Sequence, residues 1–185
     1  MKLFEPVTLQ HHNLVLRPIT WSDCQVLWEL AQDNSAELFA MYGPQQLNWY
    51  QQAVTEQKQG NTVAFCIEWQ GKLIGTTRFG DFNRIVPAAE IGWTWLDKSV
   101  HGKGINKQMK YLMLNYAFTE WQLARVQIKA AAQNIRSQKA IEKLGAVKEG
   151  VLRNHRRLAN GQLDDTIMYS ITPNDWPAIK LSLET

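Results

Sequence analysis

The chain has 185 residues, 45% of them hydrophobic, with 20 Lys and Arg against 17 Asp and Glu. That length suits a single domain spanning 1–185, and the apolar content excludes intrinsic disorder. Two cysteines, Cys24 and Cys66, exclude a disulfide framework and a four-ligand zinc site, and no apolar run approaches the ~18 residues of a membrane helix. The opening MKLFEPVTLQHHN, with Glu5 and Pro6, lacks the apolar core of a signal peptide, so a soluble cytoplasmic protein, monomer or homodimer, is expected. Charge is unevenly spread. Residues 101–160 carry twelve Lys and Arg against three Glu, a net +9 that leaves −6 elsewhere. Such asymmetry points to a polyanionic partner, either nucleic acid or a phosphorylated cofactor.

In chain order, LVLRPI (14–19) alternates apolar and polar residues and predicts a strand stopped by Pro18. Thr20 with Asp23 three residues on marks a helix start close to a capping box, and Val26, Leu27 and Leu30 follow at helical spacing. A second helix is expected over 46–58, after Gly43-Pro44 and before Gly60-Asn61. Two strands, TVAFCIEW (62–69) and KLIGTTRF (72–79), meet across Gln70-Gly71, a hairpin signal. A third, AEIGWTWL (89–96), is expected to put Ile91, Trp93 and Trp95 on one face and Glu90, Gly92 and Thr94 on the other. Beyond His101-Gly102-Lys103-Gly104, the spacing of Ile105, Met109, Leu112, Met113, Tyr116 and Ala117 predicts a helix. A strand (125–131) and a helix opened by Asn134 and closed by Gly145 come next. Two strands joined through Asn160-Gly161 complete the pattern, and a terminal helix is expected around Asn174–Glu184. The order implies an α/β fold with a mixed sheet of about seven strands.

The loop at 101–104 carries the chemistry. It joins a strand to a helix, so the unpaired first-turn amides and the helix dipole face an incoming anion. Gly102 and Gly104 allow close backbone approach, and Lys103 and Lys107 add charge, which together describe a pyrophosphate cradle. A dinucleotide fingerprint is excluded because Lys107 stands where its third glycine belongs, and the chain has no Gly-Lys-Ser/Thr P-loop ending.

The order of elements, the HGKGIN loop and the segment NIRSQKAIEKLGAVKEG together resemble the GNAT N-acetyltransferase superfamily, in particular its RimJ/RimL-type branch. The likeness extends over about residues 12–172, through Asn134-x-x-Ser137, Leu144-Gly145, Glu149-Gly150 and the closing hairpin with Met168-Tyr169. The family loop usually reads Gln/Arg-x-x-Gly-x-Gly/Ala. Here His101 and Asn106 replace its two ends, while Gly104 matches. The resemblance implies acetyl-CoA as cofactor, a GNAT fold with an antiparallel N-terminal meander, and a V-shaped parallel split between the fourth and fifth strands. Pantetheine would then run along Trp95 and Leu96. The CoA site would comprise His101, Gly102, Lys103, Gly104, Ile105, Asn106, Lys107, Asn134 and Ser137, with Lys139 and Lys143 facing the phosphates.

Direct transfer to an amine needs proximity, a base for the ammonium and a proton for the leaving sulfur. By resemblance Ser137 faces the sulfur, while Asn134 caps its helix and orients the pantetheine arm. The family's glutamate on the strand after Glu149-Gly150 has no counterpart, since His155, Arg156 and Arg157 stand there. Glu90 is the expected base, acting through water, with pairing to Arg78 or Arg84 as its purely structural alternative. His155, whose side-chain type titrates near neutrality, is the second candidate. Trp93 and Trp95 offer an apolar wall beside the thioester. Trp21, Trp28, Tyr42, Trp49 and Tyr50 lie where the family covers its acceptor cleft. His11 and His12 form no ligand set with His101 or His155 by spacing, so no metal is expected. Nucleic-acid binding lacks a supporting motif, and no membrane partner is expected. An acyl-CoA sensor without turnover stays open, as does the choice between a peptide N-terminus and a small-molecule amine as acceptor.

Overall fold

A computed structural model describes residues 4–38, 40 and 43–184, and Tyr42 lies outside the described residues. Eight strands form one sheet in the order β1-β2-β3-β4-β5-β6-β8-β7. They are β1 (Leu9–His11), β2 (Leu14–Pro18), β3 (Val63–Trp69), β4 (Lys72–Asn83), β5 (Ala88–Leu96), β6 (Arg125–Ala131), β7 (Val147–Arg157) and β8 (Leu163–Ile171). Pairing is antiparallel throughout except for β5 with β6. The eighth strand beyond the seven expected is β1, whose three residues are too few to show alternation. The expected split between the fourth and fifth strands is therefore the β5–β6 pair.

Turn and cap chemistry fixes the local geometry as the sequence suggests. Gln70 and Gly71 both take positive φ, giving a two-residue turn that matches the twist of β3 and β4. Helix α1 (Trp21–Asp33) begins with the Thr20 amide donating to the Asp23 carboxylate at 2.8 Å, and Arg17 forks onto the same carboxylate. Helix α2 (Leu47–Lys58) packs beside α1 on one sheet face, around buried Leu27, Tyr50, Val54 and Trp95. Both cysteines are buried in that layer as free thiols.

The opposite face holds the larger core. Helix α3 (Ile105–Thr119), the crossover between β5 and β6, lays Met109, Met113 and Ala117 against Phe65, Phe79 and Ile91. Helix α4 (Ile135–Leu144) packs on β6 and ends at Gly145 in the left-handed region. The terminal helix α5 (Trp176–Glu184) turns Trp176 onto Tyr111 and Phe118 of α3.

The face assignment expected for β5 does not hold. Trp93 has φ +52 and bulges out, so Trp93 and Thr94 together oppose Thr77 of β4. One inserted residue reverses the alternation. Ile91 therefore packs under α3, whereas Trp95 sits in the α1–α2 layer. Thr94 bonds the Thr77 hydroxyl at 2.7 Å on the α3 side.

Candidate active site

The β5–β6 ladder is short. Ala88, Ala89 and Glu90 pair with Arg125, Val126 and Gln127, and no register continues beyond. From there β5 runs on to Leu96 and β6 to Ala131 as two separate edges, so the sheet opens into a V with its apex at Glu90 and Gln127.

At the mouth of the V lies the glycine loop. Gly102 and Gly104 have φ of +76 and +75, and a Cβ built on either would find no atom within 4 Å. The backbone there faces open space that a side chain would fill. No side chain caps α3, and the amides of Ile105, Asn106 and Lys107 meet no acceptor among the described residues. Main chain of this geometry is able to seat an anion. Asn106, where the family pattern has Gly or Ala, leaves the helix start undistorted. The His101 ring reaches back to the Leu96 carbonyl at 3.1 Å, which occupies that edge oxygen with the loop itself. Lys103 turns away and lies over the Trp69 ring, 5.1 Å from its centroid. Lys107, Lys139 and Lys143 are exposed.

Across the V, α4 presents its N-terminus. The Asn134 side chain accepts from the Ser137 amide at 3.0 Å, the capping role expected of it. The half-buried Ser137 hydroxyl has no partner among the described residues.

The apex is charged. Glu90 is only 6% exposed. Its carboxylate meets the Lys129 ammonium at 2.5 Å and lies within 3.4 Å of the Gln127 amide nitrogen. Lys129 also holds Asp81 at 2.8 Å. Burial pushes Glu90 up to about 7 against the pull of Lys129. A Cβ on Gly92 would stand 2.8 Å from the Glu90 carboxylate, so glycine there makes the room into which the carboxylate projects at the V. Neither Arg78 nor Arg84 is the Glu90 partner. Arg78 is buried between Trp49 and Trp93, donating to the Trp49 carbonyl, while Arg84 donates to the Gly60 carbonyl. Lys129 had no signal in the sequence beyond its alternation in β6, because the pair spans strands far apart in the chain.

His155 is exposed on β7, with its Nδ1 3.1 Å from the Thr166 hydroxyl. No hydrogen bond or ion pair among the described residues joins it to Glu90, Lys129 or Asp81. The basic half is partly spent internally. Lys129 neutralises Glu90, Arg125 forks onto Glu149, and Lys110 is buried. Trp21 is exposed, whereas Trp28 and Trp49 are half-buried and Tyr50 is buried, donating to the Pro44 carbonyl.

A sheet parted beside a main-chain anion seat, with a buried carboxylate at its apex, defines a transferase that draws an acyl group from a nucleotide thioester. The family model described as the acetyltransferase (GNAT) domain matches residues 13–147, and the chain belongs to that family. It is an N-acetyltransferase with acetyl-CoA as donor. YdaF of Bacillus subtilis, assigned as a ribosomal N-acetyltransferase, is 27% identical over 179 residues, covering 92% of this chain and 97% of the relative. The ribosomal-protein-serine acetyltransferase of Escherichia coli is 28% identical over 171 residues, covering 85% and 92%. Among solved structures, a GCN5-related N-acetyltransferase from Brucella melitensis superposes with a TM-score of 0.86 at 19% identity, covering 97% of this chain and 85% of its own. RimL, the ribosomal L7/L12 α-N-protein acetyltransferase in complex with coenzyme A, superposes with a TM-score of 0.79 at 24% identity, covering 90% and 98%. Both structural likenesses show the fold.

Proposed function

We propose that this acetyltransferase modifies the α-amine of a peptide or protein N-terminus, with Glu90 as general base. The observation that carries the reading is the Glu90 carboxyl itself, buried at the apex of the V and pushed up to about 7. A base of that strength is well matched to an α-ammonium, which ordinarily titrates at about 8, and poorly matched to a lysine side chain at about 10.4. The two relatives named for ribosomal-protein acetylation support the same acceptor class.

The residues fit the donor. Amides of Ile105, Asn106 and Lys107 with Gly102 and Gly104 seat the pyrophosphate, and Lys107, Lys139 and Lys143 add charge around the 3′-phosphate. Asn134 and Ser137 face the pantetheine arm, and the thioester supplies an activated acetyl group when bound. Glu90 takes the acceptor proton at a carboxylate oxygen, directly or through one water. Lys129 holds Glu90 beside Asp81, and the proton leaves for solvent through water at the V. Trp95 and Trp93 wall the acceptor side and exclude water. Residues 1–185 acting as one domain in the cytoplasm is part of the same proposal; no helix among the described residues is long and apolar enough to cross a membrane.

The test is a panel of peptides with free α-amines against the same peptides blocked at the N-terminus and carrying one lysine. Acetylation confined to free α-amines is expected, with Glu90→Gln lowering kcat by roughly 10²–10⁴-fold while acetyl-CoA affinity is kept. Preference for the lysine amine, or full turnover by Glu90→Gln, would overturn the reading.

A further inference from the structure

The sheet face that carries Glu90 is notched by two glycines. Thr77 and Phe79 of β4 turn toward α3, so Arg78 and Gly80 face the other way, opposite Gly92 and Glu90 of β5. The glycines stand diagonally in this square, and each yields its space to a larger neighbour. A Cβ on Gly92 would stand 2.8 Å from the Glu90 carboxylate, and a Cβ on Gly80 would stand 2.8 Å from the Trp93 ring. The ring therefore lies over Gly80, the direct partner of Glu90 across the ladder. Directly opposed residues have Cβ atoms about 4.5–5.5 Å apart, so indole and carboxylate fill neighbouring positions.

Trp93 reaches that place from a bulge. With φ +52 and no partner on β4, its side chain is not aimed by the ladder as that of a regular strand residue is. Arg78 aims it instead. The guanidinium carbon lies 4.2 Å from the centre of the Trp49 ring and 5.8 Å from that of Trp93, so one cation bridges both rings. Its Nη2 donates to the Trp49 carbonyl at 3.1 Å, and its Nη1 stands 3.7 Å from the Glu56 carboxylate of α2. Behind Trp49 comes Gly43, where a Cβ would meet the ring at 2.1 Å. Arg78 is 3% exposed, and its Nε–H has no acceptor among the described residues. A charge so deeply buried costs stability that an apolar side chain of similar volume would not. What the apolar chain would not supply is a flat cation stacked on the rings.

We propose that Arg78 is a positioning residue of the transfer, holding the Trp93 ring over Gly80 so that the Glu90 carboxylate is closed to water from the β4 side. The inference rests on the assignment of Glu90 as the base. The other charged groups around Glu90 are Lys129 of β6 and Asp81 of β4, with Arg156 of β7 and Lys110 of α3 beyond ion-pair distance. All of them remain when Arg78 or Trp93 is replaced. Dry surroundings disfavour a charged carboxylate, and Glu90 is pushed up to about 7. Loosening the ring admits water and lets the carboxyl ionise at lower pH. Loss of the Arg78 charge alone would act in the opposite direction, because a nearby cation favours the ionised form. The sign of the change therefore separates a ring-holding role from a purely electrostatic one.

The primary test needs no acceptor. Infrared absorption of protonated carboxyl groups is followed against pH in the full chain, with Glu90→Gln identifying the Glu90 band. In the parent that band should fade through about pH 7. In Arg78→Met, Trp93→Ala and Gly80→Ala it should fade at about pH 6 or below. Gly80→Ala sets one methyl against the ring and changes no charge, so it keeps the test readable should Arg78→Met not fold. Arg78→Met combined with Trp93→Ala should shift the band no further than Trp93→Ala alone, since Arg78 acts through the ring. With acetyl-CoA and an N-terminal peptide, each variant should lose about tenfold or more in kcat at kept acetyl-CoA affinity, and the rise of kcat with pH should move down with the band. A parental band already lost by about pH 5, a band moved upward in Arg78→Met, no movement in Gly80→Ala, or additive shifts in the double variant would overturn the proposal. Absence of peptide turnover with the band shifts intact would instead overturn the acceptor reading and leave Arg78 holding the ring beside Glu90.

Discussion

Replacing Glu90 by Gln changes stability with a sign that depends on pH. In the fold the carboxyl titrates at about 7 rather than 4.5, because burial opposes its charge more than Lys129 favours it. Ionising it in the native state therefore costs about 3 kcal/mol more than in the unfolded chain. Between those two values the native state keeps a proton that the unfolded chain has lost. Stability contributed by Glu90 is thus fully present below about pH 4.5 and is lost as pH rises through about 7. Glutamine does not titrate and escapes the decline. It lacks the O–H that the protonated carboxyl turns to Asp81, a loss of about 1 kcal/mol, while Lys129 keeps Asp81 at 2.8 Å. Lys110, pushed down to about 7, is largely neutral at about pH 8.5 in either protein and does not alter the comparison. Glu90→Gln should therefore be more stable than the parent by about 2 kcal/mol at about pH 8.5 and less stable by about 1 kcal/mol at about pH 4.5. Urea unfolding at both pH values, with the slope of the transition checked for constancy, measures the difference. A difference that is the same at both pH values would refute the assignment of a raised carboxyl at the apex.

Two further substitutions separate the seat from the chemistry. Gly104→Val forces a branched side chain to φ +75 and into the open space before the helix, with nothing within 4 Å to clash. Stability should fall by about 1–2 kcal/mol from the backbone alone, while calorimetry shows acetyl-CoA affinity reduced by roughly tenfold or more; unchanged affinity would remove this loop from the donor site. Gly92→Ala places a Cβ 2.8 Å from the Glu90 carboxylate, the movable end of a side chain. A thermal midpoint within a few degrees of the parent, with kcat reduced far more than acetyl-CoA affinity, is the expected result, and a parental kcat would show that the carboxylate's position is immaterial.

Local chemistry settled much of this protein from the sequence. Caps, turns and periodicity act within a few residues, so the helix starts at Thr20 and Asn134, the stop at Gly145 and the Gln70-Gly71 turn were all legible. So was the glycine loop before α3, because a strand, two glycines and an amphipathic helix suffice to describe it. The packing of the helices decided what pattern could not. A single inserted residue at Trp93 reversed the faces of β5, and nothing in the alternation of AEIGWTWL distinguishes a bulge from a regular strand. The partner of Glu90 proved to be Lys129, 39 positions away, because parallel pairing across the α3 crossover sets them side by side. Lys110 reads in the sequence as an ordinary polar residue of a helix flank. Only the packing of α3 in the fold buries it, since burial depends on every element around a side chain and not on its own.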